Sequence, residues 1–441
     1  MGNTTPPRVR KIDPSRARKP DGSEDNNDRV EIGPTPLAFA EWEAAGLTPP
    51  NLQAMRKFRL ERVQQAVVDR NLAGVLVFDP LNIRYATDTT NMQLWNAHNP
   101  FRACFVGADG YMVLWDFHGG EMLSEFNPLV REVRMGASFF YFVTGDKTSA
   151  AADTFAAEFA SMIGERYGHN KCVAIDKIQI HGLRAVEALG LEVHDGEELM
   201  EKARSVKGPE DIRAMRCAVH ACDQAIAEMY AQTHPGMTEN DVWSILHAEN
   251  IKRGGEWIET RLMASGQRTN PWFQECGPRV IQAGEVLGFD TDLVGCYGMC
   301  VDISRTWLVG DGQATEEQQR LYREAYLQVT ENMTLLEPGR PFRDLSYEGR
   351  PLPEEFIPRR YGVRMHGVGL CDEWPSIYYP VDYLEGGFDY QLEPGMVFCS
   401  EVYIGAVGGA EGVKLEEQVL VTEDGFENMS ACPFDERLLN L

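Results

Sequence analysis

The sequence predicts an α/β protein that divides into two domains of unequal size. The length is the first indication, since a chain of 441 residues usually forms more than one hydrophobic core. The second is that strand-like apolar runs alternate with helical patterns in the first half of the chain. The third is an internal repeat in the second half. We expect a tail over 1–50, a first domain over 51–200 and a second domain over 201–441.

The first domain is predicted to begin with a helix that leads into a buried strand. Apolar residues recur at helical spacing over 51–70, and the apolar run 73–78 follows directly. The further predicted elements are strands at 103–106, 111–115 and 172–175 and a helix over 151–167. This mixture of helices and short apolar strands is typical of an α/β domain.

The second domain is predicted to start close to residue 200. A helical pattern opens at 207–212 and continues through Tyr230, and Pro209 suits its first turn. Two pairs of later segments resemble each other, 233–242 with 336–345 and 281–287 with 392–398. In the second pair a tight turn launches an apolar strand, and a carboxylate, Asp290 or Glu401, follows the turn glycine by six residues in each copy. The repeat therefore predicts an acid at the same strand position in both halves.

Five acidic residues of this domain are candidate metal ligands. Asp290 and Asp292 lie two residues apart on a predicted strand, so their side chains face the same side of it. Asp302 follows in a hairpin-like return, and Glu401 and Glu416 repeat that layout around a glycine-rich turn. Carboxylates that converge in a core repel each other unless cations neutralise them. Two divalent ions that share carboxylates are the usual solution.

The alternative is that these acids face solvent, as single acidic residues usually do. Asp290 and Glu401 argue against exposure, because each ends an apolar run. His366 would add a nitrogen ligand, although a lone histidine is more often a packed core residue than a ligand. A set of oxygen ligands with one imidazole favours Fe(II), Mn(II), Zn(II) or Co(II) over thiophilic ions.

Composition argues against several classes of partner. A formal net charge of -25 disfavours binding to phosphate backbones, and the basic stretch 8–19 is interpreted as a solvated tail. The chain contains no apolar run of about 18 residues and no apolar segment of signal-peptide type over 1–28. Its ten cysteines lack a paired framework, which fits reduced thiols in a cytoplasm. We expect a cytoplasmic protein without nucleic-acid or membrane partners.

The order of the motifs resembles that of the creatinase/aminopeptidase P/prolidase family, the M24 peptidases with the pita-bread fold. The motifs are Asp-Ile-Ser-Arg-Thr at 302–306, His-Gly-Val-Gly-Leu at 366–370, Glu-Pro-Gly-Met-Val-Phe at 393–398 and Leu-Glu-Glu-Gln-Val-Leu at 415–420. The resemblance covers residues 50–425 and implies a creatinase-like N-terminal domain, a C-terminal pita-bread domain with a pseudo-twofold repeat, and a homodimer.

The same resemblance implies a metal site and its ligands. It places the family's metal positions at Asp290, Asp302, His366, Glu401 and Glu416. Asp292 is an additional acid beside them. Two divalent metal ions are expected, with iron as the expected metal and zinc, manganese, cobalt or nickel as alternatives.

Two departures from the peptidase pattern bear on the reaction. Peptidases of this family carry a histidine before the first metal aspartate, and the segment 264–275 contains none. They carry a second histidine before Glu-x-Pro, where this chain has Asp372. Peptide hydrolysis in the family uses those imidazoles to bind substrate and move protons, so their absence argues against a peptidase. A carboxylate can instead act as a general base toward a carbon acid.

That combination resembles the dimethylsulfoniopropionate (DMSP) lyases of the family, which cleave DMSP to dimethyl sulfide and acrylate. The resemblance implies a metal-assisted β-elimination in which Asp372 removes the α-proton. Aromatic faces attract a sulfonium cation, and Trp95, Tyr361 and Trp374 are candidates, with Trp272 as a further one. Core packing explains each of them equally well. Trp95 belongs to an N-terminal segment of the kind that can reach the partner protomer's site in this family.

Two other classes of function are compatible with the same fold. A metal-dependent X-Pro dipeptidase or aminopeptidase, or a creatinase-like hydrolase, would keep the metals and attack with hydroxide, but the missing histidines argue against it. A non-catalytic interaction protein on the same fold would be expected to lose metal ligands, whereas every candidate ligand is present in this chain.

Overall fold

The computed structural model describes residues 33–383 and 390–439. The chain divides into two compact units, and each forms its own core. The first unit contains Asn51–Arg204, and the second contains Ser205–Leu441 and Glu31–Pro50 as far as they are described. Helix α1, Pro36–Ala44, thus belongs to the second unit. The predicted basic tail at 8–19 lies outside the described residues.

The first unit is a mixed six-stranded sheet flanked by helices. Its helices are α2 Leu52–Asp69, α3 Pro80–Thr87, α4 Gln93–His98, α5 Tyr141–Thr144, α6 Thr148–Tyr167, α7 Ile180–Ala188 and α8 Gly196–Ser205. Its strands are β1 Gly74–Val77, β2 Ala103–Gly107, β3 Met112–Trp115, β4 Val130–Arg134, β5 Cys172–Ile175 and β6 Glu192–Asp195, in the order β4-β3-β2-β1-β5-β6. The helix predicted over 51–70 and the predicted strands are confirmed.

Local residues explain where these elements begin. The Asn51 side chain accepts a hydrogen bond from the Ala54 amide and so caps α2. Every residue of β1, β2 and β3 is buried, because helices or further chain cover both faces of the sheet. Apolar residues of the sheet and of α6 form the core of this unit, among them Phe105, Phe155 and Phe159.

The second unit contains the remaining helices and three sheets. Its helices after α1 are α9 Pro209–Gln232, α10 Glu239–Lys252, α11 Glu316–Met333, α12 Phe342–Tyr347 and α13 Glu436–Leu439. Its strands are β7 Trp257–Ile258, β8 Met263–Ser265, β9 Val286–Phe289, β10 Leu293–Val294, β11 Cys300–Val301, β12 Arg305–Leu308, β13 Met365–Val368, β14 Asp372–Ile377, β15 Val397–Ile404, β16 Val413–Val421 and β17 Phe426–Asn428. The sheets have the orders β11-β10-β7, β12-β9-β8 and β14-β13-β15-β16-β17.

The two halves of this unit have matching turns. In each half a long helix, α9 or α11, is followed by a Pro-Gly turn and another helix, α10 or α12. The turns before β9 and β15 place Gly284 and Gly395 at φ of 84° and 91°. Side chains other than glycine rarely adopt this conformation, so the Pro-Gly and Ala-Gly sequences have a structural reason to recur. Helix α11 packs on β15 and β16 and forms the core of this unit with them.

In the part of the chain that the structure describes, no helix is both long enough and apolar enough to span a bilayer.

Candidate metal centre

The second-half acids lie on one hairpin. Strands β15 and β16 are antiparallel, and their register pairs Glu401 directly with Glu416. Side chains at directly opposed positions share a face and lie close together. Every residue of both strands is buried, so the two carboxylates are held inside the unit. The predicted hairpin with two facing acids is therefore confirmed.

The first-half acids reach the same place by a different backbone path. Strand β9 ends at Phe289 and β10 begins at Leu293, so Asp290 and Asp292 are not on one continuous strand and that prediction is wrong. Asp292 has a φ of 36°, a left-handed conformation that aspartate tolerates better than most residues. Its side chain is held by Thr260, whose hydroxyl donates to Oδ2 at 2.6 Å.

Asp302 lies at the matching break of the returning chain, between β11 and β12. The Thr291 hydroxyl ties the two breaks together, since it donates to the Val301 carbonyl at 2.8 Å and accepts from the Ile303 amide at 2.9 Å. The Asp292 amide lies 3.4 Å from Asp302 Oδ1, to which it donates. The predicted hairpin-like return is confirmed, and it brings Asp302 beside Asp290 and Asp292.

His366 adds an imidazole from the neighbouring strand β13. Its Nε2 lies 3.5 Å from an Asp302 oxygen, 3.5 Å from Glu401 Oε1 and 3.4 Å from Glu416 Oε1. Its Nδ1 lies 3.0 Å from the Gly367 carbonyl oxygen. Nε2 is therefore the nitrogen that faces the acids and would bind a metal.

These residues form three overlapping groups whose ligand atoms lie within 4.8 Å of one another. The groups are Asp290 with Asp292 and Asp302, Asp290 with Glu401 and Glu416, and Asp302 with His366, Glu416 and Cys399. Groups that share members are what two adjacent ions with bridging carboxylates require. Burial raises the pKa of the Cys399 thiol well above its usual value, which keeps it protonated and makes it a poor ligand. We refer to Asp290, Asp292, Asp302, His366, Glu401 and Glu416 as the cage.

Two buried oxygens show that the cage suits a cation. Among the described residues, Glu401 Oε1 and Glu416 Oε1 have no hydrogen-bond partner. A buried carboxylate oxygen without a partner is costly unless a cation satisfies it. Both oxygens point toward His366 Nε2, so the ligand set and its unsatisfied atoms fit a metal site.

Burial and neighbouring charges shift the pKa values of the cage acids. Burial raises the pKa of Asp290 to about 6, of Asp292 to about 8 and of Glu401 to about 8. Burial has the same tendency at Glu416, but Lys414 and His366 outweigh it and lower the pKa of that carboxyl. A divalent cation in the cage would therefore have to displace protons as it binds.

Lys414 is a further buried charge at the cage, and the sequence did not single it out. Its buried Nζ lies 3.0 Å from Asp290 Oδ2, 2.8 Å from Glu401 Oε2 and 3.1 Å from Glu416 Oε2. It also donates to the Ser304 hydroxyl at 2.8 Å. The ammonium group thus holds one oxygen of each glutamate and leaves Oε1 of both free for a metal. The available signal was its place two residues before Glu416 on a buried strand, which puts both side chains on one face.

Replacing Lys414 by methionine is expected to destabilise the metal-free protein by about 3–5 kcal/mol, because it leaves buried carboxylates without their cation. Metal ions would supply charge to the same carboxylates, so the loss should be clearly smaller in the loaded protein. Urea unfolding with and without metal measures the difference.

The matched control is Lys57→Met, since Lys57 is 70% exposed and pairs with Glu61 only on the surface at 3.5 Å. Equal destabilisation of loaded and metal-free Lys414→Met would contradict the role assigned to the ammonium group.

Asp372 lies at the rim of the cage, at the first position of β14. Its side chain is 49% exposed, and Oδ1 lies 3.8 Å from His366 Nδ1, on the opposite side of the imidazole from the cage acids. The loss of water around the carboxylate raises its pKa, Glu416 adds to the rise, and His366 and Lys414 oppose it. Asp372 is thus a half-exposed carboxylate beside the cage, in a position open to a small molecule.

The candidate aromatic residues lie in different surroundings. The Tyr361 ring centroid is 4.5 Å from Lys414 Nζ, which places the ring beside the cage. Tyr361 stacks on Phe273 at 5.2 Å, and Phe273, which the sequence did not single out, is 61% exposed. Trp374 is partly buried and packs against the core, with its ring centroid 5.4 Å from that of Phe342.

The two remaining candidates for substrate contact, Trp272 and Trp95, pack on aromatic neighbours of their own units. Trp272 stacks on Tyr403 at 6.0 Å. Trp95 belongs to the first unit, where it contacts Phe101, Phe117, Phe140 and Phe142. The predicted contacts of Trp95 and Trp374 with a substrate stay predictions.

The fold and the cage describe a two-unit protein with a candidate metal centre in its second unit. Residues 213–423 match the profile of metallopeptidase family M24. The solved structure of the Xaa-Pro dipeptidase from Bacillus anthracis superposes with a TM-score of 0.70 at 20% identity, over 86% of this chain and 99% of that chain. The chain belongs to the M24 family.

Within the family, the sequence is far more similar to lyases than to that dipeptidase. It is 58% identical over 437 residues to the dimethylsulfoniopropionate lyase DddP of Roseovarius nubinhibens, and 98% of each chain is covered. It is 55% identical over 439 residues to the dimethylsulfoniopropionate lyase DddP of Roseobacter denitrificans, again with 98% of each chain covered.

Proposed function

We propose that this protein is a metal-dependent DMSP lyase that cleaves DMSP to dimethyl sulfide and acrylate. The observation that carries the proposal is a complete metal cage with a carboxylate, Asp372, at its rim, 3.8 Å from His366. The full-length similarity to two DMSP lyases supports the same reaction.

DMSP carries a carboxylate at one end and a sulfonium group on its β-carbon. Divalent ions in the cage would neutralise the substrate carboxylate and stabilise the negative charge that develops on the α-carbon. The cage residues hold those ions, with each glutamate oriented by Lys414.

Asp372 takes the α-proton of the substrate. The electrons of the broken C–H bond form the new C=C bond, the C–S bond breaks, and its electron pair leaves with sulfur as neutral dimethyl sulfide. The products are acrylate, dimethyl sulfide and a proton on Asp372, so no water is consumed. The half-exposed carboxylate of Asp372 suits this step, because a carboxylate within reach of the α-carbon can act as a general base.

Aromatic side chains are proposed to bind the sulfonium end. Tyr361 lies beside the cage, and the exposed ring of Phe273 stacks on it. The two rings together offer an apolar and electron-rich surface. Trp95 and Trp374 remain proposed substrate contacts.

Tyr361→Leu is expected to raise KM for DMSP by about 10-fold, because a cation–π contact contributes about 0.5–2 kcal/mol. Tyr361→Phe keeps the ring and should leave KM within about twofold of wild type. Initial rates of dimethyl sulfide release over a range of DMSP concentrations measure both. Equal KM values for the two variants would show that the ring does not bind the sulfonium.

We propose iron as the metal, with zinc, manganese, cobalt or nickel as alternatives that the same ligands accept. Oxygen ligands with one imidazole suit all of these ions, and two of them would be bound. Metal analysis of protein purified without chelator identifies the ion and its stoichiometry.

We also propose a cytoplasmic homodimer with a first domain over 51–200 and a catalytic domain over 201–441. All ten cysteines are free, which suits a reducing compartment. The first unit exposes Tyr141 by 71% and Phe142 by 76%, and Phe142 lies 6.2 Å from Trp95. Exposed aromatic side chains of this kind are typical of protein contacts, and a second copy is the proposed partner.

The deciding experiment offers the purified metal-loaded protein DMSP and an X-Pro dipeptide in parallel. We expect dimethyl sulfide in the headspace, an equal amount of acrylate in solution, and no free proline above the blank. Proline release without dimethyl sulfide would favour the hydrolase that the dipeptidase-like fold also allows.

A further inference from the structure

We propose that the buried ion pair between Lys207 and Glu373 is a positioning device for Asp372. The inference rests on the proposed function, in which Asp372 is the base. Neither member of the pair belongs to the cage, and both are almost completely buried, with side chains 5% and 0% exposed.

Lys207 fixes Glu373 to two other parts of the second unit. Its Nζ bonds to Glu373 Oε1 and donates to the Ser205 carbonyl at 3.2 Å. Its own amide donates to the carbonyl of Gly395 at 2.9 Å. Gly395 is the turn residue that leads into β15, the strand that carries Glu401. The pair therefore links the start of β14 to the base of a cage strand.

Glu373 follows Asp372 directly, and successive side chains of a strand point to opposite faces. Glu373 is buried and Asp372 is half exposed, as this alternation requires. Anchoring Glu373 on the inner face thus directs Asp372 to the outer face, at the rim of the cage. Gly369 makes room for the anchor, because a Cβ at that position would overlap the Glu373 carboxylate.

The pairing of β13 with β14 shows why an anchor is needed here. Gly367 pairs with Glu373, whereas His366 pairs with Ser376, so the register shifts between two adjacent residues of β13. Such a shift disrupts the ladder of hydrogen bonds locally, close to the residues that carry Asp372 and Glu373. A slip of one residue would exchange Glu373 and Asp372 between the faces and remove the base from His366. The ion pair holds the one register that places Asp372 3.8 Å from His366 Nδ1.

Buried ion pairs contribute little net stability, since removing two charges from water offsets much of their attraction. Replacing both partners by apolar residues of similar size is often neutral for stability, whereas replacing one leaves an unpaired buried charge. The double variant therefore distinguishes the two roles of the pair. It should restore a merely structural contribution, but it cannot restore the positioning of Asp372. The variants are Lys207→Met, Glu373→Met and the double variant that combines them.

The experiment measures thermal unfolding, bound metal, kcat and KM on the metal-loaded full-length protein. We expect both single variants to unfold at clearly lower temperature and the double variant to recover stability and metal content. Its kcat should stay at least 10-fold below wild type with KM within twofold, and the isotope effect on kcat with α-deuterated DMSP should rise. The control is the exposed pair Lys57 and Glu61, whose double variant Lys57→Met/Glu61→Gln should match wild type in all readouts.

A double variant that regains both stability and kcat would overturn the positioning role and leave the proposed function intact. A double variant that loses metal along with activity would also overturn it, since the pair would then support the cage and not Asp372. If wild-type protein releases no dimethyl sulfide, the proposed function fails and this inference fails with it.

Discussion

Asp372→Asn is expected to release dimethyl sulfide about 10²–10⁴-fold more slowly than wild type, which is the usual contribution of a general base. Asparagine keeps the size and shape of the side chain but cannot take the α-proton. Because Asp372 lies beside His366 Nδ1, whereas His366 Nε2 faces the cage acids, the metal content should not change. Headspace dimethyl sulfide and metal analysis on the same preparation test both statements.

The matched control is Asp424→Asn, which removes an exposed acid with the same change of charge and should retain full activity. An Asp372→Asn variant with wild-type kcat and intact metal would contradict the assignment of the base. Loss of metal in that variant would assign Asp372 to the cage instead.

Removal of the metals is expected to abolish dimethyl sulfide release and to destabilise the second unit. Five acids and one imidazole converge in the cage, and only Lys414 among the described residues is seen to pair with Asp290, Glu401 and Glu416 together. A ligand at a thousand times its Kd stabilises the folded state by about 4 kcal/mol. Dialysis against chelator, followed by calorimetry and by activity after readdition of each metal, measures these effects.

The pH dependence of the free energy of unfolding should differ between the metal-free and the metal-loaded protein. In the metal-free protein the pKa values of Asp292 and Glu401 are raised to about 8, well above their usual values. A group whose pKa is raised by folding contributes stability at low pH and loses it as the pH rises through the folded pKa. The metal-free protein should therefore become less stable from about pH 5 to pH 8, whereas the loaded protein should not, because ionised ligands bind metal better. Parallel pH profiles of the two forms would contradict a metal role for these acids.

All six residues of the cage were candidates in the sequence, and for those on regular strands the backbone path could be predicted as well. Glu401 and Glu416 pair in a hairpin whose glycine-rich turn is visible in the chain, and His366 lies on the strand next to it. Asp290 and Asp292 reach the cage through a break in the strand. The left-handed conformation of Asp292 in this break depends on two threonines. Thr260 is distant from Asp292 in the sequence, and Thr291 lies between the two acids, where no pattern marks it.

The surroundings of the cage were less accessible to sequence reasoning. Neither Lys414 nor Phe273 is marked by a sequence motif. Their contacts near the cage depend on which strands and loops are neighbours in the folded protein. The ion pair of Lys207 and Glu373 joins residues that are 166 positions apart. Of the aromatic candidates, a sequence could not separate Tyr361, beside the cage, from Trp374, which is partly buried and packs against the core.

The ammonium group of Lys414 has a consequence for how the enzyme matures. A chain that brings its own cation to Asp290, Glu401 and Glu416 can complete its second unit before any metal arrives. Metal would then enter a folded protein, and the ion that it acquires would reflect which metals the cell contains at that moment. Protein made in cells starved of one transition metal and supplied with another should accordingly fold equally well and carry the second metal.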